Sequence, residues 1–480
     1  MSKNPKKKVV AKQKKKMQMP AFQMTQARLP VFDPASANIE GILWPPIVTG
    51  RLTAALTMQV QFEMSQWWPA NRLLGYQLTQ LLNVMRHASK TVPFYKARLK
   101  DVMEISRAGL SMNMFRQIPI STRSDIQNAG NDIITTALPK SHGPMFDIQT
   151  SGSTGQPLVL KGTDVTGLYV TALGLRYHLW HKRDFTGKSI HFMAMKPHET
   201  ILRQPAWGPV YGSGEGLQIN HALPAETLLD MLITEDPDYI QIHPSTLKEV
   251  LAYSITKNIK PKKLREVRTR SEILYPELRT RVEQFWGVPV TDNYSCEELS
   301  IMALQCPDHQ HYHVQSESCL IEVLRDDDTP CQPGEVGRTV ISSLNNFATP
   351  ILRYENGDMA EVGEPCSCGR GLPVLNRIIG RVRNVAILPN GERRTPVFLG
   401  NTILTSLPIK HFQLIQKTLT DIEARLVVAR PLTSEEEAAL AKHFNDGFHY
   451  DFNFTFVYLD EIKRGVNGKY EVFKCEVVPG

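Results

Sequence analysis

Thr150-Ser-Gly-Ser-Thr-Gly-Gln-Pro157 places four hydroxyl residues, two glycines and a proline between two short apolar runs, Met145–Ile148 and Leu158–Leu160. Glycine admits positive φ and a close approach of backbone to ligand. Successive amides in such a loop can point into one concavity that binds anions, and the hydroxyls add rotatable donors for phosphate oxygens. The segment is not a Walker loop, because Gln156-Pro157 stands where that motif needs Lys-Ser/Thr and a helix start. The flanking runs predict a strand-loop-strand clamp instead. A plain polar hairpin turn is the alternative on these residues alone.

Other segments carry chemistry of a compatible kind. Val290-Thr-Asp-Asn-Tyr-Ser-Cys-Glu-Glu298 follows a helical stretch closed by Gly287. Its tyrosine can stack on a base, and its carboxylates are hard ligands for Mg²⁺. Pro350-Ile-Leu-Arg-Tyr-Glu-Asn-Gly-Asp358 ends in a turn aspartate suited to accept hydrogen bonds from a vicinal diol. Gly380-Arg381 marks the edge of a last module, and Gly468-Lys469 lies in its terminal loop, where a cation can be delivered to a distant site. Taken singly, Asp358 reads equally as an Asx-turn residue, Arg381 as a surface charge and Lys469 as a solvated lysine. A separate set, Cys306, Cys366 and Cys368 with one imidazole among His309, His311 and His313, supplies three thiolates and a nitrogen for a closed tetrahedral zinc site of structural type. Reduced cysteines without metal are the alternative.

The elements that must position these residues are legible from periodicity. Leu74, Leu78, Leu81, Met85 and Ala88 predict a helix over 71–90, ended by Val92-Pro93. Ile118–Arg123 reads as a loop entering a short helix. Val165, Leu168, Ala172, Leu175 and Leu179 mark another helical face. Between 188 and 300, apolar runs such as Tyr239–Ile242 alternate with helical stretches such as Ser245–Thr256, which predicts an α/β layer architecture. Residues 311–380, with runs such as Cys319–Leu324 and Arg338–Ser342 between Gly, Pro and Asp turns, predict a β-rich subdomain. Beyond about Val382 comes a small α+β module: strands over His411–Gln416, Ile422–Ala429 and Phe452–Leu459, and a helix opened by the capping box Thr433-Ser-Glu-Glu436. Lys463–Lys474 reads as a charged loop and tail. Residues 17–70 show weak periodicity and carry no functional assignment.

A chain of 480 residues can bury a large core, and length alone suggests two to four domains. The net charge of +7 belongs to the first 16 residues, which hold eight lysines and no acid, so the body is close to neutral. Such a tail reads as a solvated, disordered appendage, with Pro5-Lys-Lys-Lys8 resembling a nuclear-import or polyanion-binding patch. No basic stripe with interleaved aromatics occurs elsewhere, which ranks nucleic acid low as a partner. No apolar run reaches the roughly 18 residues of a membrane span, and the basic N-terminus lacks an apolar signal core. Seven cysteines in a chain of this size fit reduced thiols and a cytoplasmic setting.

In order and spacing, the segments from about His87 to Val478 resemble the acyl-adenylate-forming superfamily, and within it the phenylacetate–coenzyme A ligase-like family. The likeness rests on Ala88…Val92-Pro-Phe-Tyr95, the 150–157 loop, Ser271-Glu272, Asp292-Asn-Tyr-Ser-Cys-Glu-Glu298, Arg353-Tyr-Glu-Asn-Gly-Asp358, Gly380-Arg381 and Gly468-Lys469. It implies a large multi-layer N-terminal domain over 17–381 with a β-rich subdomain, and a small mobile C-terminal domain over 382–480. It also implies ATP-dependent conversion of a carboxylic acid to acyl-AMP, then transfer to coenzyme A.

By the same resemblance, Ser151, Gly152, Ser153, Thr154 and Gly155 would hold the β- and γ-phosphates of ATP. Glu272 would lie beside the adenine and Tyr294 would stack on it. Glu298 would bind Mg²⁺, Asp358 the ribose hydroxyls and Arg381 the ribose-phosphate region. Lys469 would bridge the α-phosphate and the substrate carboxylate. His313 is the imidazole that matches the family's zinc position. Trp207, Tyr211, His243 and Cys296 lie in segments that face the acyl pocket, each with core or loop packing as its plainer reading. An aryl or other small acid is the default substrate, and homodimerisation is left open.

Two departures bear on the second half-reaction and the acid: Val382-Arg383-Asn384 follows the Gly-Arg where aspartate is common, and Ser295 replaces a usual glycine. An amide ligase or carrier-loading enzyme, using an amine or carrier thiol as acceptor, is therefore the nearest rival. A non-catalytic binding protein with a polyanion-binding tail ranks lower. Lys469→Ala is expected to abolish carboxylate-dependent pyrophosphate release; an unimpaired first half-reaction in that variant would remove the lysine from the mechanism.

Overall fold

The computed structural model describes residues 50–149, 158–196, 198–207, 213–381, 386–394, 407–462 and 472–477. The 1–16 tail, the Ser151–Gly155 loop, Tyr211, the Val382–Asn384 segment and Lys469 lie outside the described residues.

Among the described residues two large sheets dominate. The six-stranded sheet runs, in spatial order, Ile201–Pro205, Glu215–Asn220, Ser189–Met193, Tyr239–Ile242, Glu266–Thr269 and Val290–Thr291. All neighbours are parallel except the first pair, in which the edge strand is antiparallel. Helices Ala225–Glu235, Pro244–Lys257 and Pro276–Trp286 alternate with its strands. Their apolar sides join Ile190, Ile240, Val267 and Val290 in one core. This is the α/β layer that the alternation over 188–300 predicts, and the helix ends where Gly287 takes the left-handed conformation, φ 75°.

The second sheet is antiparallel and seven-stranded: Cys319–Leu324, Val336–Ser343, Tyr354–Val362, Val374–Arg381, Tyr312–Val314, Ser300–Gln305 and Asn293–Cys296. It shares a core with the helix Ala70–Thr91, whose buried Leu81, Met85 and Ala88 fall on the face the spacing predicts. A third core belongs to a small α+β layer. There the helix Ser434–Phe448, opened by the predicted Thr433/Glu436 capping box, packs on four strands, Asn453–Tyr458, Asp421–Val428, Ile409–Gln416 and Phe473–Cys475.

Two readings need correction. Arg51–Ser65, left without assignment, is a helix of 15 residues lying against Asp164–Trp180. Phe473–Cys475, expected in a charged tail, forms a strand parallel to Ile409–Gln416. Three residues show no periodicity, and Phe473 becomes a strand residue because Leu414, Phe448 and Phe452 offer it a core.

The chain passes from the parallel sheet to the antiparallel one through a single residue, Asp292, which is 6% exposed. Its carboxylate accepts from Thr269 Oγ1 at 2.8 Å and from Tyr312 Oη at 2.7 Å, one donor from each sheet. Its N–H donates to Gln305 Oε1 at 2.9 Å, and Arg279 donates to the same oxygen at 3.0 Å. Burial pushes the Asp292 carboxyl up despite the bonds from Tyr312 and Thr269. Asp292→Ala leaves the buried Tyr312 hydroxyl without its acceptor, at ~1–3 kcal/mol, and leaves Thr269 Oγ1 only the longer bond to Thr291 O at 3.2 Å. Its denaturant midpoint is expected to fall accordingly with circular dichroism of the folded state retained; a midpoint equal to wild type would show that the joint contributes nothing.

Candidate active site

Side chains meet where the carboxyl ends of the parallel strands face the antiparallel sheet, the position at which open α/β sheets bind ligands. The helix Pro244–Lys257 begins there, with His243 at its N-cap. Glu272 follows Ser271, whose φ is 67°, and it caps that helix: Ser245 donates its N–H to Oε2 at 2.8 Å and its hydroxyl to Oε1 at 3.0 Å.

Tyr294 and Asp358, 64 residues apart, are brought into contact. Tyr294 Oη donates to Asp358 Oδ2 at 2.8 Å and accepts from Asn356 Nδ2 at 2.9 Å. Asn356 Nδ2 also reaches Asp358 Oδ2 at 3.0 Å, and Thr339 Oγ1 donates to the Asp358 carbonyl at 3.1 Å. Burial, with the Asp358 charge second, holds the Tyr294 phenol well above its ordinary pKa, so the group stays protonated and donates. Arg381 pairs directly opposite Asp358 across the ladder, which brings its backbone to the same place. Gly380 precedes it with φ 89°, and a Cβ there would stand 2.4 Å from Ile273 Cδ1, so this crossing next to Glu272 requires glycine.

Glu298 completes the group. Its side chain is 9% exposed, with Tyr354 Oη at 3.5 Å and Arg123 Nη1 at 3.9 Å from Oε1. Burial raises its pKa, while its own backbone N–H and Cys296 pull the other way. Cys296 lies beside it with Sγ 3.6 Å from Met302 Sδ, and burial raises this thiol as well. The sequence reading missed Asn356, Thr339 and Arg123. Asn356 was within reach as the turn residue two before Asp358; Thr339 and Arg123 come from other segments and carry no local signal.

The proposed pocket residues divide. His243 is buried against His221, ring centroids 5.0 Å apart, at the carboxyl end of the sheet. Trp207 lies at the other end of the strands. Its ring N–H donates to Gly187 O at 2.7 Å, and it packs edge-on against His178, Phe185 and Tyr239.

Residues 389–476 match the CapK C-terminal domain family. A phenylacetate-coenzyme A ligase of Thermus thermophilus is 24% identical over 394 residues, covering 76% of this chain and 84% of that one. Among solved structures, 2-hydroxyisobutyryl-CoA ligase in its postadenylation state, in complex with R3-HIB-AMP, has a TM-score of 0.67 at 15% identity, covering 86% of this chain and 91% of that one. The anthranilate CoA ligase AuaEII in complex with anthranoyl-AMP has a TM-score of 0.52 at 14% identity, over 68% of this chain and 66% of that one. The fold is similar to that of these CoA ligases, and the sequence is similar to the Thermus thermophilus phenylacetate-coenzyme A ligase over most of its length.

The fold also gathers Cys306, His313, Cys366 and Cys368, whose ligand atoms all lie within 4.8 Å of one another. Cys306 Sγ and Cys366 Sγ are 3.9 Å apart, and Cys368 Sγ and His313 Nε2 are 3.4 Å apart. Tetrahedral zinc with Zn–S of about 2.3 Å and Zn–N of about 2.0–2.1 Å requires about 3.8 and 3.5 Å, so the donor set fits. His313 Nδ1 faces Leu372 O at 3.4 Å, which orients Nε2 toward the thiols. His309 bonds Ser367 at 2.9 Å instead, while His311 Nε2 stands 3.0 Å from Cys366 Sγ.

Among the described residues, no helix is long and apolar enough to cross a membrane.

Proposed function

We propose that this chain activates a small carboxylic acid with ATP, releasing pyrophosphate, and passes the acyl group from acyl-AMP to coenzyme A. The observation that carries the reading is the contact of Tyr294 with Asp358 beside Glu298, with Arg381 opposite in the ladder. A diol acceptor, an aromatic face and a hard oxygen ligand then lie in one crevice, as a ribose, a base and a magnesium–phosphate group require.

Each residue has a physical task in this scheme. The Ser151–Gly155 loop supplies amides and hydroxyls to the outer phosphates. Asp358 orients the ribose, and Tyr294 offers its ring to the adenine while Asn356 and Asp358 fix its hydroxyl. Glu298 would hold Mg²⁺, which when bound offsets repulsion between the two anions that must meet. A carboxylate oxygen then bonds to the α-phosphorus as the α–β bridging bond breaks and pyrophosphate leaves with the electron pair. Lys469 neutralises charge at that phosphorus, the kind of electrostatic contribution that usually dominates such steps. In the second step a thiol sulfur bonds to the acyl carbon, its proton passes to solvent, and AMP leaves. Rotation about Arg381–Asn384 would withdraw Lys469 between the two.

ATP–pyrophosphate exchange over a panel of carboxylic acids is expected to reveal at least one that drives exchange. Asp358→Ala is expected to raise the KM for ATP by about tenfold or more, the scale of a charge-assisted hydrogen bond. Exchange with no acid, or an unchanged KM in that variant, contradicts the assignment. Product analysis with coenzyme A, amines and a carrier thiol then identifies the acceptor.

The Cys306/His313/Cys366/Cys368 cluster is read as a structural zinc site, its four protein ligands leaving no open position for catalysis. Purified protein is expected to contain stoichiometric zinc and to lose it, with a lower melting temperature, in Cys368→Ser. Metal analysis that finds none would dismiss the site.

A further inference from the structure

A parallel sheet covered on both faces ordinarily reads as continuous apolar strands. Here one face does so and the other does not. Leu217, Ile190, Ile240, Val267 and Val290 form one row across five strands, each 1% exposed or less. The next row, on the opposite face, is Gln218, His191, Gln241, Arg268 and Thr291 in direct register. Gln218, His191 and Gln241 are half-buried rather than sealed, although all three lie on interior strands. The polar row is therefore less sealed than the apolar one, with the Trp207 ring over Arg268 at one end.

The charges along that face do not balance. Glu266 is taken by Arg183, through two hydrogen bonds of 2.7 Å. Arg268, 2% exposed, reaches only neutral partners: Ser189 Oγ and His191 Nε2, each at 3.1 Å, with its guanidinium 5.3 Å from the Trp207 ring centroid. Its buried Nε has no hydrogen-bond acceptor, and neither has the buried Nε of Arg270, two residues on at the carboxyl edge. Neither arginine forms an ion pair among the described residues. Burial first, then the Arg183 charge, hold Arg268 down to about 10, and burial lowers Arg270 also. A buried cation without an anion is costly unless something else brings the charge.

We propose that the acid activated here carries a second anionic group, a carboxylate or phosphate remote from the reacting carboxyl, held by Arg270 with Arg268 and His191 behind it. Arg270 is the specificity contact, because it follows the carboxyl end of the strand Glu266–Thr269, past the Arg268 of the polar row, with its Nε buried and without an acceptor. An acid entering with its reacting carboxyl near Glu298 would direct its far end along that row. Arg268 is a positioning residue, fixing His191 and the field around Arg270.

This inference rests on the adenylation reading, and its test separates the two. The full chain is assayed by ATP–pyrophosphate exchange with matched acids: phenylacetate, 4-carboxyphenylacetate and 4-phosphonophenylacetate, beside a broader panel of mono- and dianionic acids. Wild type is expected to favour the dianionic members by about tenfold or more in kcat/KM, and the better of the two identifies carboxylate or phosphate. Arg270→Met is expected to erase that preference through the KM for the acid, and Arg270→Lys to restore part of it. The KM for ATP and the melting temperature should stay at wild-type values. A wild-type preference for the monoanionic acids overturns the proposal and leaves adenylation standing. So does an equal loss on all acids in Arg270→Met, which would place the arginine on ATP or in the framework. Exchange with no acid of either kind overturns both.

Discussion

One buried carboxylate holds the two large sheets in register. Asp292 is the only residue between the last strand of the parallel sheet and the first of the antiparallel one, and it takes a hydrogen bond from each. Two residues later Tyr294 reaches Asp358, and six residues later comes Glu298, so the crevice is built by a chain with little freedom between its anchors. Charged hydrogen bonds inside a low-dielectric interior are stiff, and leaving one unmade is expensive. That cost fixes the distance between the Tyr294 ring and the Asp358 carboxylate without any help from a ligand.

The arrangement suits a reaction in which the protein performs little covalent chemistry. Joining a carboxylate to a triphosphate requires two anions to be positioned and their repulsion screened. A rigid crevice supplies the first requirement. In the proposed scheme the second would be divided between Glu298, through the metal ion it would hold, and Lys469. The polar face of the parallel sheet extends the same logic: cations buried without counterions are tolerated where an anionic ligand completes them.

Much of the fold was legible because it is periodic. The helix Ala70–Thr91 and the strand Tyr239–Ile242 announce themselves in spacing, and the Thr433 capping box marks its helix to the residue. The four zinc-type donors converge as their residue types suggest, because hairpins of one sheet place 306–313 beside 366–368. What spacing could not convey was contact between distant segments. Asp292 looked like one more polar residue of a motif, and its role appears only when Thr269 and Tyr312 are folded around it. Trp207 was expected, by resemblance, in a segment that faces the acyl pocket, with core packing as its plainer reading, and it is held at the amino-terminal end of the strands by Gly187, Phe185 and Tyr239. The alternation in Ser189-Ile-His-Phe-Met193 was on the page, but a strand that alternates in a parallel sheet gains meaning only once its neighbours alternate in the same register.

The most direct test of the account is a crystal structure with a non-hydrolysable acyl-adenylate mimic, an acyl-sulfamoyl adenosine. The account predicts the ribose hydroxyls on Asp358, the adenine against the Tyr294 ring and the acyl chain directed along the polar row toward Arg270. A nucleotide bound away from Asp358 and Tyr294, with that crevice left empty, would contradict it.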